Sequence, residues 1–346
     1  MPDSLSTHRL GQITNEQLQG ALDRFDLGRL VSAEAIPFGL FGQNVLLATD
    51  RGRYVLRACS HYPWQFPKER FFARLLHERS DAPIPWAYVV ETSPSILGWD
   101  FAIMPCLPGV ALADQRMREA LSDEEQQEIA RELGRTLAEI HRVMWPFPGQ
   151  YDLASDDITP LTMPHSDWVV AQTRDWVEKA RQQSNRTTDT DVAWVESIIG
   201  EARDALQVPF TPVAVHGDYA YNNALAQRTQ DGWRCSGVVD LMNMSVGDGE
   251  MDLSLLSRMY VVDGQPDCAR AFLTAYLERR KPRSLFLPRF TLHVLLYLLI
   301  GWEYGQRHPE LRWFAPEETL RRWAEPIIEE TRDVAARVLE EGRHEA

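Results

Sequence analysis

The sequence predicts an α+β protein of two lobes, a small antiparallel sheet carrying one helix followed by a larger, mainly helical lobe. Three observations point there. Residues 30–104 read as strands, then a helix, then strands. Pro105, Pro108 and Gly109 then punctuate the chain, and beyond them the apolar pattern shifts to helical spacing. At 346 residues the chain suits one large domain or two lobes sharing a cleft, with core enough to need no disulfide.

The elements follow in order. Thr14 caps a first helix, with Gln17 at the capping-box return position, so residues 1–28 form an N-terminal helical extension. Strands are expected over 33–37, 44–49 and 53–58, and Asp50-Arg51-Gly52 is the hairpin turn between the last two. A helix over 67–79 places Phe71, Phe72, Leu75 and Leu76 on its apolar side. Asp81-Ala82-Pro83-Ile84-Pro85 breaks it, and strands near 87–92 and 101–104 complete an N-lobe of residues 29–104. Residues 105–109 are then a hinge, and residues 110–346 the C-lobe.

In that lobe Ser122 caps a long helix with Glu125 at the return position and Ile129, Leu133, Leu137 and Ile140 along one stripe. Residues 145–167, rich in Pro, Asp and Ser, read as a surface connection. Helices over 168–182 and 192–206 form an inserted hairpin spanning about 165–207. Short strands are expected at 213–215, 224–226 and 238–240, with helices to the end. The most apolar run, 294–302, is too short for a bilayer and reads as a buried helix, with Trp302 in the core.

Composition excludes several function classes. A net charge of −14 and only three lysines (Lys68, Lys179, Lys281) argue against nucleic-acid binding, which needs clustered cations, while a cationic substrate is compatible. Cys59, Cys106, Cys235 and Cys268 are scattered without a C-x-x-C pair, which fits a reducing compartment and argues against a zinc site. The first eleven residues lack the apolar core of a signal peptide. A cytoplasmic protein without membrane association is expected, and nothing in the sequence sets its oligomeric state.

The chemistry concentrates in His216-Gly217-Asp218-Tyr219-Ala220-Tyr221-Asn222-Asn223 and in Gly237-Val238-Val239-Asp240. A short apolar strand delivers a polar loop carrying Asp218 and Asn223, and a hairpin delivers Asp240. Phosphoryl transfer needs a carboxylate to receive a hydroxyl proton and oxygen ligands to hold Mg²⁺ on the phosphates. Two Asp and one Asn supply that set, since Mg²⁺ favours hard oxygen donors and keeps several waters. An isolated Asp218 would more naturally be a turn residue; Asn223 and Asp240 in register favour the catalytic reading.

His-Gly-Asp-x4-Asn with the following apolar-apolar-Asp strand end resembles the aminoglycoside phosphotransferase and choline kinase family of kinase-like enzymes. Gly247-Asp248-Gly249-Glu250-Met251-Asp252-Leu253 also resembles that family's Gly-Asp-x-x-x-Asp-Leu segment. The resemblance covers about residues 39–258 and fades in the helical insertion and the C-terminal helices. It implies a bilobal protein-kinase-like fold and a Mg²⁺-dependent transfer of the γ-phosphate of ATP or GTP to a hydroxyl. Asp218 is then the base, Asn223 and Asp240 hold Mg²⁺, and His216 and Asp252 brace the loop, Asp252 being equally readable as purely structural.

The same resemblance extends into the N-lobe. Gly39, Gly42 and Asn44 lie in the turn where a kinase covers the phosphates. Arg57 takes the place of the phosphate-binding lysine, and Glu69 is its partner, or else an acid favoured in a helix's first turn. Met104 ends the last buried strand, so Pro105 supplies the adenine-binding carbonyl and Leu107 the N–H; neither role requires an N–H of proline. A plain Pro-rich connector fits those residues equally well.

Two features depart from the family pattern. Tyr219 and Tyr221 stand where relatives carry Leu-His-Pro, and Leu241 follows the second metal Asp; packing suits Tyr219. For the acceptor, Tyr221, Asp248, Glu250 and Glu303 are candidate contacts, the acids suiting an amine-bearing molecule by Coulomb attraction. An aminoglycoside or other antibiotic leads. A metabolite such as an amino alcohol or sugar is the alternative, ahead of a Ser/Thr protein substrate, for which 240–252 leaves little platform.

Overall fold

In the computed structural model the described residues are 4–7, 11–36, 43–311, 313–315 and 317–344. The chain opens with strands β1 (Ser4–Thr7) and β2 (Gly11–Thr14) and helix α1 (Asn15–Asp23). Strands β3 (Leu30–Ile36), β4 (Gln43–Thr49) and β5 (Arg53–Ala58) follow, then α2 (Gln65–Arg79), β6 (Val89–Glu91), β7 (Phe101–Pro105) and β8 (Val110–Ala111). After α3 (Gln115–Glu119) and α4 (Asp123–Ile140) come β9 (Gly149–Asp152), β10 (Asp157–Pro160), α5 (His165–Gln183) and α6 (Asp189–Leu206). Strand β11 (Val213–Val215) leads to β12 (Ala224–Thr229), β13 (Gly232–Val238) and β14 (Ser245–Gly247). Helices α7 (Asp252–Val262), α8 (Pro266–Leu277), α9 (Phe286–Arg307) and α10 (Leu320–His344) complete it.

The chain divides into two compact units. The first comprises Met1–Met117, Tyr151–Thr159 and Tyr221–Met244, and the second Arg118–Gln150, Pro160–Ala220 and Ser245–Ala346.

In the first unit an antiparallel sheet runs in the order β3-β4-β5-β7-β6. Alternation along the strands sends Val45, Leu47, Leu56 and Ile103 into a core shared with Ile13, Leu18 and Leu22, all fully buried. Thr14 and Gln17 form the expected capping box. The expected helical extension over 1–28 is corrected: β1 and β2 pair ahead of α1, with residue 5 opposite Ile13, because 11–14 alternate with period 2 and bury Ile13. The boundary expected at 105–109 falls inside this unit. There β8 adds to the β12–β13 hairpin through Ala111 opposite Leu225 and Val110 opposite Ala226, tying residues 221–244 to the strand-rich unit.

The second unit is mainly helical. Ser122 and Glu125 form the expected capping box on α4, and Thr188 and Asp191 form another on α6. Gly134 lets α4 approach α8 closely, since a Cβ there would stand 2.3 Å from the Phe272 carbonyl oxygen. The helical hairpin α5–α6 packs against α9, whose residues 291–299 are buried except Tyr297. Strands β11 and β14 pair antiparallel and Val246 lies opposite Gly149, so 145–167 holds short strands rather than only a surface connection. Among the described residues no helix is long and apolar enough to cross a membrane.

Candidate active site

In the first unit the alternation of β5 buries Leu56 and Ala58 in the core and turns Arg57 to the opposite face. The Arg57 side chain is only 14% exposed, and its Nη1 lies 2.5 Å from Glu69 Oε2. Glu69 is fully buried on α2; Tyr88 Oη donates to its Oε2 at 2.8 Å and Gln65 Nε2 to its Oε1 at 3.3 Å. Burial pushes the Glu69 pKa up, against the pull of Arg57, Tyr88 and Gln65. For Arg57 burial acts against the charge, yet Glu69, Tyr88 and Asp240 outweigh it and hold the guanidinium protonated. This pairing keeps a cation fixed on the face of the sheet.

Arg57 also reaches Asp240, with Nη2 at 3.4 Å from Oδ1. Asp240 lies beyond the end of β13, not within the strand, in a left-handed conformation (φ 62°) that Asp tolerates better than most residues. It opens a short 3₁₀ turn, Leu241–Asn243, that packs on α2. The β12–β13 ladder begins at Ala224 opposite Val238, and the Val239 N–H donates to the Asn223 carbonyl at 2.9 Å. The register therefore sets Asn223 opposite Val239, one residue before Asp240. Asn44 lies opposite Arg57 in the sheet, its Oδ1 buried without a hydrogen-bond partner among the described residues. Gly39 and Gly42 lie outside the described residues.

The segment expected to hold adenine is anchored on both sides. Val55 faces Met104 and Tyr54 faces Pro105, and the Cys106 N–H is taken by the Arg53 carbonyl at 2.9 Å. That amide is spent within the protein, on strand β5. Leu107 packs on Gly237, where a Cβ would come within 2.7 Å of Leu107 Cδ1, and Ser236 Oγ donates to the Pro108 carbonyl at 2.6 Å. Gly109 sits at φ +101°, and a Cβ there would stand 2.4 Å from the Ala226 carbonyl oxygen. Only glycine meets both demands.

In the second unit β11 delivers the loop that carries Asp218. Asp252, fully buried at the start of α7, accepts from the His216 N–H (2.6 Å to Oδ2) and the Gly217 N–H (2.8 Å to Oδ1). His141 Nε2 lies 3.1 Å from the same Oδ2, and its Nδ1 lies 2.8 Å from Tyr276 Oη. The His216 ring receives the Asp218 N–H at Nδ1 (3.3 Å), and Tyr297 Oη donates to the Gly217 carbonyl at 3.0 Å. Asp218 itself is partly exposed at the end of this braced turn. Tyr219 is packing, as its buried hydroxyl donates to the Leu133 carbonyl and its ring stacks on Phe272.

The acids expected to meet an amine-bearing acceptor are otherwise engaged. Asp248 and Glu250 are buried; Arg283 bonds both, and Arg289 lies 2.6 Å from Glu250 Oε2. These arginines also donate to the Val208 and Ala205 carbonyls near the end of α6, so the cluster fastens the helical hairpin. Glu303 is buried and holds Arg307 at 2.6 and 3.0 Å. A buried carboxylate needs such a partner, and a nearby arginine meets that need better than a transient ligand. Tyr221 is buried in the 3₁₀ turn Tyr221–Asn223, and Trp302 is core, donating to Thr187 Oγ1 at 2.9 Å.

The phosphotransferase enzyme family model matches residues 32–286, more than half of the chain. The chain belongs to that family. It is similar to homoserine kinases, at 24% identity over 274 residues and 76% of each chain for that of Methylobacillus glycogenes. For that of Caulobacter vibrioides the identity is 25% over 288 residues, 79% of this chain and 80% of the relative. Among solved structures, a thermostable mutant of an aminoglycoside phosphotransferase in ternary complex with ADP and hygromycin B superposes with TM-score 0.64. The two share 17% identity over 92% of this chain and 98% of that one.

This phosphotransferase is thus a small-molecule kinase with a hydroxyl acceptor and the bilobal kinase-like fold. Several contacting residues were not foreseen: Tyr88, Gln65, His141, Tyr276, Tyr297, Arg283 and Arg289. The apolar stripe on α4 leads to His141, the one local cue among them.

Proposed function

We propose that this phosphotransferase moves the γ-phosphate of ATP or GTP to the hydroxyl of a compact amino alcohol, with Asp218 as base. The acceptor oxygen bonds to the γ-phosphorus as the bridging P–O bond breaks; the nucleoside diphosphate leaves and the hydroxyl proton passes to Asp218. Arg57 meets the phosphates, and the Pro105 carbonyl and Leu107 N–H meet the base. The observation that carries the reading is Arg57 held between Glu69 and Asp240, a fixed cation beside an acid at the end of β13.

The donor set suits Mg²⁺. Asn223 and Asp240 offer hard oxygens on adjacent segments, and Asp240, 31% exposed, keeps its long contact to Arg57 through Oδ1 alone. Mg²⁺, when bound, neutralises charge developing on the phosphates. No cluster of three or more His, Cys, Asp or Glu able to hold a metal occurs among the described residues, so the ion would depend on two protein oxygens and its own waters.

Two observations favour an amino alcohol over a polycationic antibiotic. Asp248, Glu250 and Glu303 are neutralised by arginines. The curated relatives are named homoserine kinase, although a solved neighbour holds hygromycin B. The test is a phosphate-transfer screen of L-homoserine, other amino alcohols and aminoglycosides with ATP and with GTP. Preferred turnover of an aminoglycoside would overturn the acceptor assignment, and Asp218→Ala with undiminished turnover would overturn the base. Loss of roughly 10²–10⁴-fold is expected for that variant.

A further inference from the structure

The peptide joining Gly217 to Asp218 is gripped at both ends. Its carbonyl accepts from Tyr297 Oη at 3.0 Å, and its N–H donates to His216 Nδ1 at 3.3 Å. The preceding amides, of His216 and Gly217, are bound by Asp252. Gly217 stands at φ +76°, and with no Cβ it offers little resistance to rotation about its own ψ. That rotation would swing the Asp218 carboxylate. The contact that opposes it at the carbonyl comes from α9, 80 residues away in sequence.

Tyr297 interrupts an otherwise buried run on α9, where 291–296, 298 and 299 are all buried. Its hydroxyl reaches the Gly217 carbonyl, one peptide from the partly exposed Asp218. Burial, with the charges of Asp252 and Asp218, pushes its pKa well above the ordinary phenol value against the opposing effect of Arg258, so the hydroxyl remains a donor.

We propose that Tyr297 is a positioning residue for phosphoryl transfer, its hydroxyl fixing the peptide that aims the Asp218 carboxylate. The inference rests on the reading of Asp218 as base. Displacing a catalytic group by about 1 Å can cost on the order of 10²-fold in rate, so the loss of one hydrogen bond here should appear in turnover before it appears in stability.

The experiment compares wild type, Tyr297→Phe, Asp218→Ala and the double variant, with ATP and L-homoserine or hygromycin B as acceptor probes and basal ATP hydrolysis by water as the third. Phe keeps the ring, so melting within a few degrees of wild type is expected. Tyr297→Phe should lower kcat roughly 10- to 100-fold with KM for ATP within about twofold of wild type, and the double variant should match Asp218→Ala. Full turnover in Tyr297→Phe beside an impaired Asp218→Ala would overturn the positioning role and leave the base standing. Multiplicative losses in the double variant would also overturn it, because Tyr297 would then act without Asp218. An Asp218→Ala enzyme of undiminished turnover would remove the base assignment and this inference with it.

Discussion

Arg57 and Glu69 form a buried ion pair, Nη1 to Oε2 at 2.5 Å, joining the strand β5 to the helix α2. Glu69 is fully buried and Arg57 nearly so, so neither charge can be rehydrated in place if the other is removed. Breaking a buried pair by deleting one partner costs about 3–5 kcal/mol. Glu69→Ala is expected to lose stability on that scale in denaturant unfolding and to raise KM for ATP as Arg57 loses its orientation. Glu69→Gln keeps the shape and a hydrogen-bonding amide, so its stability loss should be smaller while the rise in KM persists. An unchanged KM in both variants would separate Arg57 from nucleotide binding.

What was legible in the sequence is what is local. The capping pairs Thr14–Gln17 and Ser122–Glu125, the β4–β5 turn and the apolar side of α2 all lie within a few residues of one another. Their signals are set by helix ends and strand alternation. The loop with Asp218 and Asn223 was equally legible, being a contiguous motif. The Asp248–Arg283, Gly217–Tyr297 and Arg57–Asp240 contacts span 35, 80 and 183 residues, and no periodicity marks them. Asp248 and Glu250 therefore look in the sequence like acids awaiting a substrate, whereas the partners that neutralise them come from far along the chain, Arg283 just before α9 and Arg289 within it. The β1–β2 hairpin was missed because four-residue strands carry too little pattern to outweigh the adjacent helix signal.

Lys68 should give the protein a measurable alkaline stability gain. Burial lowers its pKa from 10.5 to about 8, with the Glu69 charge opposing, and its Nζ lies 5.0 Å from the centre of the Trp64 ring. Between those two values the unfolded chain holds the proton and the folded protein does not, so stability rises with pH across that window. Lys68→Met removes the titration. Wild-type stability measured relative to Lys68→Met is expected to climb by about 2–3 kcal/mol from pH 7 to pH 10. A flat difference would show that the amine is solvated in the folded state.

The neutralised acids make a separate prediction about substrate recognition. Arg289 is 1% exposed and serves Glu250, Ala205 and Ser284. Arg289→Met should destabilise by about 3–5 kcal/mol because Glu250 would lose one of its two arginines in a buried site. Arg289→Met combined with Glu250→Met should recover part of that loss, since removing both charges relieves the unpaired one. Glu250→Gln should leave acceptor KM within about twofold of wild type, because the side chain is turned to Arg283 and Arg289. A large rise in acceptor KM alone would return Glu250 to the substrate.

Gly109 tests whether the hairpin bearing Asp240 and the segment at 105–109 act as one piece. The residue combines φ +101° with a Cβ position 2.4 Å from the Ala226 carbonyl oxygen, whereas Gly98, at φ +85°, has nothing within 4 Å. Backbone strain alone costs about 1–3 kcal/mol, so Gly98→Ala reports that part without the collision. Gly109→Ala must also push 107–109 away from β12, loosening Leu107 from Gly237 and the Pro108 carbonyl from Ser236. It should therefore destabilise more than Gly98→Ala and raise KM for ATP several-fold, while Gly98→Ala leaves that KM unchanged. Equal effects of the two substitutions on KM would mean that the contact with β12 contributes nothing to nucleotide binding.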